Sequence, residues 1–283
     1  MKQTRSIDLR LRHFVLGLGL MLLLGLATGG AVLALALPRA DAPNGPSGII
    51  NYAGLSGEYS VLPDGRAADH KGVAPPLVVQ SLIPLEGPWP APAGTASAYL
   101  ESSEGETWMV IANADGAYRI TQIAGSGDPP LVAGAKGEAQ SANGVPLVAS
   151  WSPDGALLAF GSVNGFPYTL NVASIGSASP LRFEVGGDYV GEAVWSHDGR
   201  YLAVSSYTID RSHHTVFIWD RETGGLRQLI DGCHIVWSPD SSYLVIHRDP
   251  YEQPGVSVVS IDGEHVRSLS DDPYAFPSAW VAE

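Results

Sequence analysis

The sequence predicts an all-β fold, a β-propeller, preceded by one N-terminal transmembrane helix. Three observations predict it: a hairpin signature that recurs about every forty residues, turn residues spread along the chain, and one uncharged apolar run near the N-terminus. The signature is Val148 to Ser162, VASWSPDGALLAFGS. It returns as Glu192 to Ser206, EAVWSHDGRYLAVSS, and as His234 to His247, HIVWSPDSSYLVIH. Each copy has a strand ending on a tryptophan (Trp151, Trp195, Trp237), then a Ser-Pro-Asp-Gly-like turn and an apolar return strand. The 33 glycines and 21 prolines fit a chain made of short strands and tight turns.

Residues 1–13 are a basic tail with Lys2, Arg5, Arg10 and Arg12 against Asp8. Residues 14–37, FVLGLGLMLLLGLATGGAVLALAL, carry no charge and are long enough as a helix to cross a hydrocarbon core of roughly 30 Å. The charge bias places the tail in the cytoplasm and residues 48–283 outside it. Ala40-Asp41-Ala42 has the small-x-small form of a signal-peptidase site, which makes a cleaved leader the alternative. The apolar run exceeds the roughly 7–15 residues of a cleavable leader, so an uncleaved anchor is expected. Residues 38–47, PRADAPNGPS, read as a tether between membrane and domain. The single cysteine, Cys233, allows no intramolecular disulfide and lies too far along for a lipid anchor. A formal charge of −13 disfavours nucleic acid and anionic lipid surfaces, and leaves a basic partner, a cation or a neutral ligand.

The folded part is expected from Gly48, where Ile49 to Tyr52 and Tyr59 to Leu62 make two strands of a first blade that lacks its opening strand. A worn second unit runs from about Gly87 to Val132, with Trp89 in the tryptophan position and Pro92-Ala93-Gly94 as its turn. The third unit adds the strands 168–172 and 181–185 to its hairpin, the fourth adds 215–219 and 226–229, and the fifth adds 256–259 and 266–269. After them comes a lone tryptophan-bearing strand, Phe276 to Ala282. If it pairs beside Ile49 to Tyr52, five blades close with no sheet edge left open. An open array, or six blades with one degenerate, is the alternative.

The Trp-Ser-Pro-Asp-Gly-x-x-Leu-Ala-Phe pattern resembles the TolB-type, WD40-like propeller repeat, with three good copies and two poor ones between Gly48 and Glu283. The resemblance implies a propeller, a platform that serves for binding, as an accessory domain of peptidases and occasionally as an enzyme. Two turn positions depart from the pattern. His197 replaces the proline, and Ser241 replaces the glycine, at a cost of up to about 1 kcal/mol if its φ is positive.

No Gly-x-Ser-x-Gly elbow, His-Glu-x-x-His pair, phosphate loop or EF-hand spacing is present, so the sequence offers no catalytic residues, metal ligands or cofactor. The turn aspartates, among them Asp154, Asp198, Asp240 and Asp262, have a structural role, because an Asp side chain bonds the backbone just ahead of it. Two other groups are candidate sites. Asp128, Asp188, Asp231, Asp271 and Asp272 each precede the next blade's inner strand and are expected to ring one mouth of the channel. The loops 207–214 and 248–255 reach the same face and carry Tyr207, Asp210, Arg211, His213, His214, Arg248, Asp249, Tyr251 and Glu252, residue types enriched in recognition surfaces. Together these features predict a single-pass membrane protein presenting an extracytoplasmic, non-catalytic propeller to a protein partner, within an envelope complex. The alternative is a sensor or enzyme that uses the acidic mouth for a ligand or cation.

Overall fold

The computed structural model describes residues 46–54, 57–67, 83–92, 94–124, 126, 128, 131–133, 139–140, 147–161, 169–177, 179–208, 213–248 and 253–282. The expected basic tail, the apolar run and residues 38–45 of the tether lie outside them. So do Asp210, Arg211, Asp249, Tyr251 and Glu252.

Every regular element among the described residues is a β-strand, and the strands sort into five blade sheets and one two-stranded ribbon. The first hairpin is β1 (Ile49–Gly54) and β2 (Gly57–Val61). Blade 2 is β3 (Trp89–Pro90), β4 (Ala96–Ser103), β5 (Glu106–Asn113) and β6 (Gly116–Ala124). Its worn turn still folds like the others: Gly94 NH donates to the Ala91 carbonyl, as Gly155 NH donates to that of Ser152. A two-stranded ribbon, β7 (Val132–Ala133) and β8 (Ala139–Gln140), then leads to blade 3, made of β9 (Ala149–Trp151), β10 (Leu157–Gly161), β11 (Thr169–Ser174) and β12 (Leu181–Glu184).

Blades 4 and 5 differ from expectation, because one strand belongs to both. Blade 4 is β13 (Tyr189–Trp195), β14 (Tyr201–Tyr207), β15 (His214–Asp220) and the first half of β16 (Leu226–Trp237). The second half of β16 is the inner strand of blade 5, followed by β17 (Tyr243–Arg248), β18 (Val256–Ser260) and β19 (Val266–Ser270). The change of partner falls between Asp231, opposite Thr215, and Gly232, opposite Arg248. Gly232, at a positive φ of 153° and with no room for a Cβ 2.5 Å from the His247 carbonyl oxygen, lets the strand run unbroken where a loop was expected.

The last strand, β20 (Phe276–Val281), pairs antiparallel with β1, with Trp280 opposite Ile50 and Val281 opposite Ile49. It supplies the inner strand that the first hairpin lacks, giving the order β20-β1-β2 in blade 1. Pairing the two ends of the domain in this way covers the edge of β1 that would otherwise offer unpaired NH and C=O groups.

The core lies between blades, and this explains the apolar return strands. Successive residues of a strand face opposite sides of its sheet, and here both sides meet a neighbouring blade. In β10, Leu158 and Phe160 pack toward blade 2 while Ala159 packs toward blade 4. In β14, Leu202 and Val204 face blade 3, and Tyr201 and Ala203 face blade 5. In β17, Leu244 and Ile246 face blade 4, and Val245 faces Ile50, Val61 and Trp280 of blade 1. Fully burying one such Leu or Phe is worth roughly 1.5–3 kcal/mol.

The repeat tryptophans add a polar tie. Trp195 Nε1 donates to the Ser150 carbonyl at 3.0 Å, and Trp237 Nε1 to that of Val194 at 2.9 Å. Each carbonyl lies one residue before the preceding blade's tryptophan. Trp280 departs from this scheme and donates to Ser47 at 2.8 Å, which fastens the segment entering β1.

The turn aspartates do what their sequence position requires. Ser152, Ser196 and Ser238 each donate from Oγ to the aspartate two residues on, at 2.5, 2.6 and 2.6 Å. The same oxygens accept from the NH groups of Leu157, Tyr201 and Tyr243, which opens each return strand. Ser241 has φ 61°, the left-handed value its glycine-replacing position implied. Its hydroxyl accepts from Asp198 NH at 3.2 Å, joining the turns of blades 4 and 5.

Candidate functional site: the channel-mouth end of blades 4, 5 and 1

Strand registers define two ends of each blade. At one end of blade 4 lies the Ser196–Gly199 turn. At the other, Tyr189, Tyr207 and His214 sit opposite one another on three adjacent strands. This second end, where chain arrives from one blade and leaves for the next, is the mouth.

On blade 4 the three mouth residues stack as rings. Tyr189 and Tyr207 have centroids 5.3 Å apart at 27°, and Tyr207 and His214 are 5.9 Å apart at 29°. Gly191 makes the stack possible, since a Cβ there would lie 2.9 Å from the Tyr207 ring. All three rings are half-buried. Tyr207 and His214 were expected from the sequence, while Tyr189 was not. His213, beside them, donates its NH to Thr208 Oγ1 at 3.2 Å.

Toward blade 5 the inner strands carry bulges that re-aim side chains. Register shifts fall between Val190 and Glu192 in β13, and between Cys233 and Val236 in β16. The second shift includes His234 at φ 55°. Lifted out of the ladder, Ile235 NH donates to Glu192 Oε2 at 3.2 Å, and the Ser205 hydroxyl donates to the same oxygen at 3.3 Å. The other carboxylate oxygen, Oε1, lies 3.5 Å from His234 Nδ1. Glu192 is thus a buried acid that spans two blades, 5% exposed, with the half-exposed His234 ring in front of it.

The line continues into blade 1. His234 meets Phe276 edge-on at 4.9 Å between centroids, and Phe276 lies 4.5 Å from the buried His247 ring. His247 Nδ1 donates to the Ala275 carbonyl at 2.8 Å, which holds the connection leading into β20. Phe276 is 39% exposed and Tyr274 is 58% exposed. Nearby, burial pushes the Tyr52 hydroxyl above its ordinary pKa against a lowering bond with Ser270, and the charges of Tyr59 and Asp272 push it the same way.

Three of the five expected mouth carboxylates, those of Asp231, Asp271 and Asp272, accept bonds from their own neighbours. Asp231 Oδ1 accepts from Thr215 and Gln228, both at 3.4 Å, from inside strand β16 instead of from a loop. Asp271 accepts from Ser268 at 3.0 Å, and Asp272 accepts from Tyr274 NH at 2.9 Å. Asp188 donates its NH to the Tyr207 carbonyl at 2.9 Å, at the foot of the aromatic stack. Asp128 does not directly precede an inner strand, because the β7–β8 ribbon intervenes before β9. Among the described residues no three His, Cys, Asp or Glu side chains group in a way that could hold a metal ion. Arg248, at the end of β17, donates from Nη2 to Gln253 Oε1 at 2.5 Å.

The mouth therefore carries two ring groups, Tyr189–Tyr207–His214 on blade 4 and His234–Phe276–His247 across blades 5 and 1, with Tyr274 exposed just ahead of β20. One signal in the sequence could have found its centre: Glu192 and His234 stand at the same offset, three residues before Trp195 and Trp237.

The strand order defines the chain's fold class, a β-propeller. No protein-family profile matches the chain, and no curated protein sequence matches it. Solved structures do resemble it. TolB from Acinetobacter baumannii is similar at 19% identity over 83% of this chain and 67% of that one, with a TM-score of 0.44. The β-propeller domain of the Trilobed protease from Pyrococcus furiosus is similar at 17% identity over 68% and 59%, with a TM-score of 0.43. Porphyromonas gingivalis dipeptidyl peptidase 4 is similar at 12% identity over 65% and 32%, with a TM-score of 0.47. At these identities the likeness is one of fold.

Proposed function

We propose that this chain is a membrane-anchored, extracytoplasmic β-propeller that acts as a non-catalytic binding module for a protein partner, as a subunit of an envelope complex. The observation that carries the reading is the mouth of blades 4, 5 and 1. Exposed aromatic side chains are what protein interfaces use as anchors, and here Tyr274 and Phe276 are exposed, Phe276 packs on His234 of blade 5, and blade 4 carries the half-buried Tyr189 stack. The anchor and the location rest on the uncharged run 14–37 and the basic residues before it.

Two measurements test this reading. The full chain should sediment with membranes after a high-salt wash, because apolar insertion is indifferent to ionic strength. A mature N-terminus near Asp41 would contradict it. Affinity purification from detergent-solubilised membranes should recover a stoichiometric protein partner. A purified chain that carries no partner but holds a metal or small molecule tightly would favour the sensor or enzyme alternative.

A further inference from the structure

Resting on the binding-module reading, we infer that the closing strand β20 docks and undocks as one unit, that the mouth on blades 5 and 1 exists only while it is docked, and that a partner held there locks the ring shut. β20 spans its blade from end to end. Val281 lies opposite Ile49 at the turn end and Phe276 opposite Ala53 at the mouth end, roughly 17 Å apart along an extended strand. Among the described residues its strand partner is β1, on one side.

Principle holdfasts secure it at three levels. At the turn end the Trp280 ring packs with Ile50 and Val245, and its Nε1 donates to the Ser47 carbonyl at 2.8 Å. In the middle, where the register shifts between Asn51 and Tyr52, the Ser278 hydroxyl donates to the Asn51 carbonyl at 3.1 Å. At the mouth end His247 Nδ1 donates to the Ala275 carbonyl at 2.8 Å. There the Phe276 ring also meets His247 and His234, at 4.5 and 4.9 Å between centroids.

A strand held by one ladder opens as a contiguous segment, well below the free energy of global unfolding. When β20 leaves, Phe276 leaves with it, and the group His234–Phe276–His247 loses its middle ring. The mouth is thus a product of closure. A partner that binds only the docked state favours that state by mass action. Its effect reaches Trp280 and Val281 at the turn end, which it does not touch.

Hydrogen exchange of the full-length chain in detergent, read by mass spectrometry, is the test. Trp280→Phe keeps a ring in the core but loses the bond to Ser47, and Phe276→Ala removes the ring at the other end. Each should quicken exchange about three- to tenfold, by the same factor along the whole of 277–281, with 149–161 of blade 3 unchanged. Quickening confined to the substituted end, no quickening in either variant, or equal quickening in blade 3 would overturn the inference. In the complex purified from membranes, exchange of 280–281 should slow at least about tenfold. A complex in which those residues exchange as fast as in the free chain would overturn the locking of the ring. The binding-module reading is judged separately: failure to recover any partner counts against that reading, while the exchange pattern of the free chain still decides whether β20 moves as one unit.

Discussion

Glu192 of blade 4 accepts a hydrogen bond from the backbone NH of Ile235 in blade 5 at 3.2 Å, across the junction between two inner strands. The bond exists because a bulge at His234 turns that NH away from its own ladder. A buried acceptor and a buried donor satisfy each other only while the two blades stay in register.

That relationship separates two substitutions. Glu192→Gln keeps an oxygen for Ile235 NH, whereas Glu192→Ala strands both that NH and the Ser205 hydroxyl. The Ala variant should lose about 1–3 kcal/mol of unfolding free energy and the Gln variant distinctly less, measured by urea denaturation of the domain.

Closure of blade 1 through Trp280 is a second point of test. This side chain is 6% exposed, packs with Ile50 and Val245, and donates to Ser47. Trp280→Ala should cost about 3–5 kcal/mol. Deleting residues 277–283 should be worse, since it also uncovers the β1 edge. Denaturation midpoints of these two variants against the full chain check both.

At Ser241 two effects of similar size oppose each other. Its φ of 61° strains a residue with a Cβ, while its hydroxyl holds Asp198 NH. Ser241→Gly should relieve about 1 kcal/mol of strain and give up about 1 kcal/mol of bonding, for a net near zero. Ser241→Ala keeps the strain and loses the bond, so it should destabilise by about 1 kcal/mol. Equal stability of the two variants would show that the strain is negligible.

Acid stability should report on Asp154. Burial raises this carboxyl, but bonds from Ser152, Arg221 and Ala156 NH outweigh it and lower the pKa from 3.8 to about 2. A folded-state pKa below the unfolded one gives stability that is present above about pH 4 and is lost as pH falls through about 2. The gap in stability between the wild type and Asp154→Asn should therefore narrow over that window, and it should be flat from pH 5 to 8.

The sequence carried the repeat further than it carried the site. Trp151, Trp195, Trp237 and Trp280 mark inner strands by their spacing. The Ser-x-Asp turns are local chemistry, and the unpaired last strand pointed to its place beside β1. Glu192 and His234 share an offset from their blade tryptophans, but their grouping with His247 and Phe276 was not legible, because bulges and packing between blades bring them together. Asp231 was placed just ahead of blade 5's inner strand, in the connection from blade 4, yet β16 runs through it without a break. The expected recognition residues Asp210, Arg211, Asp249, Tyr251 and Glu252 lie outside the described residues.

The most direct measurement is partner recovery by the tagged full-length chain from detergent-solubilised membranes, compared between a mouth variant and a turn variant of equal thermal stability. With Asp188→Asn and Tyr274→Ser combined, recovery should fall about tenfold or more, in line with loss of central anchors, while Glu264→Gln recovers as much as the wild type. Undiminished recovery by the mouth variant, or loss only in the turn variant, would contradict the assignment of the mouth as the binding face.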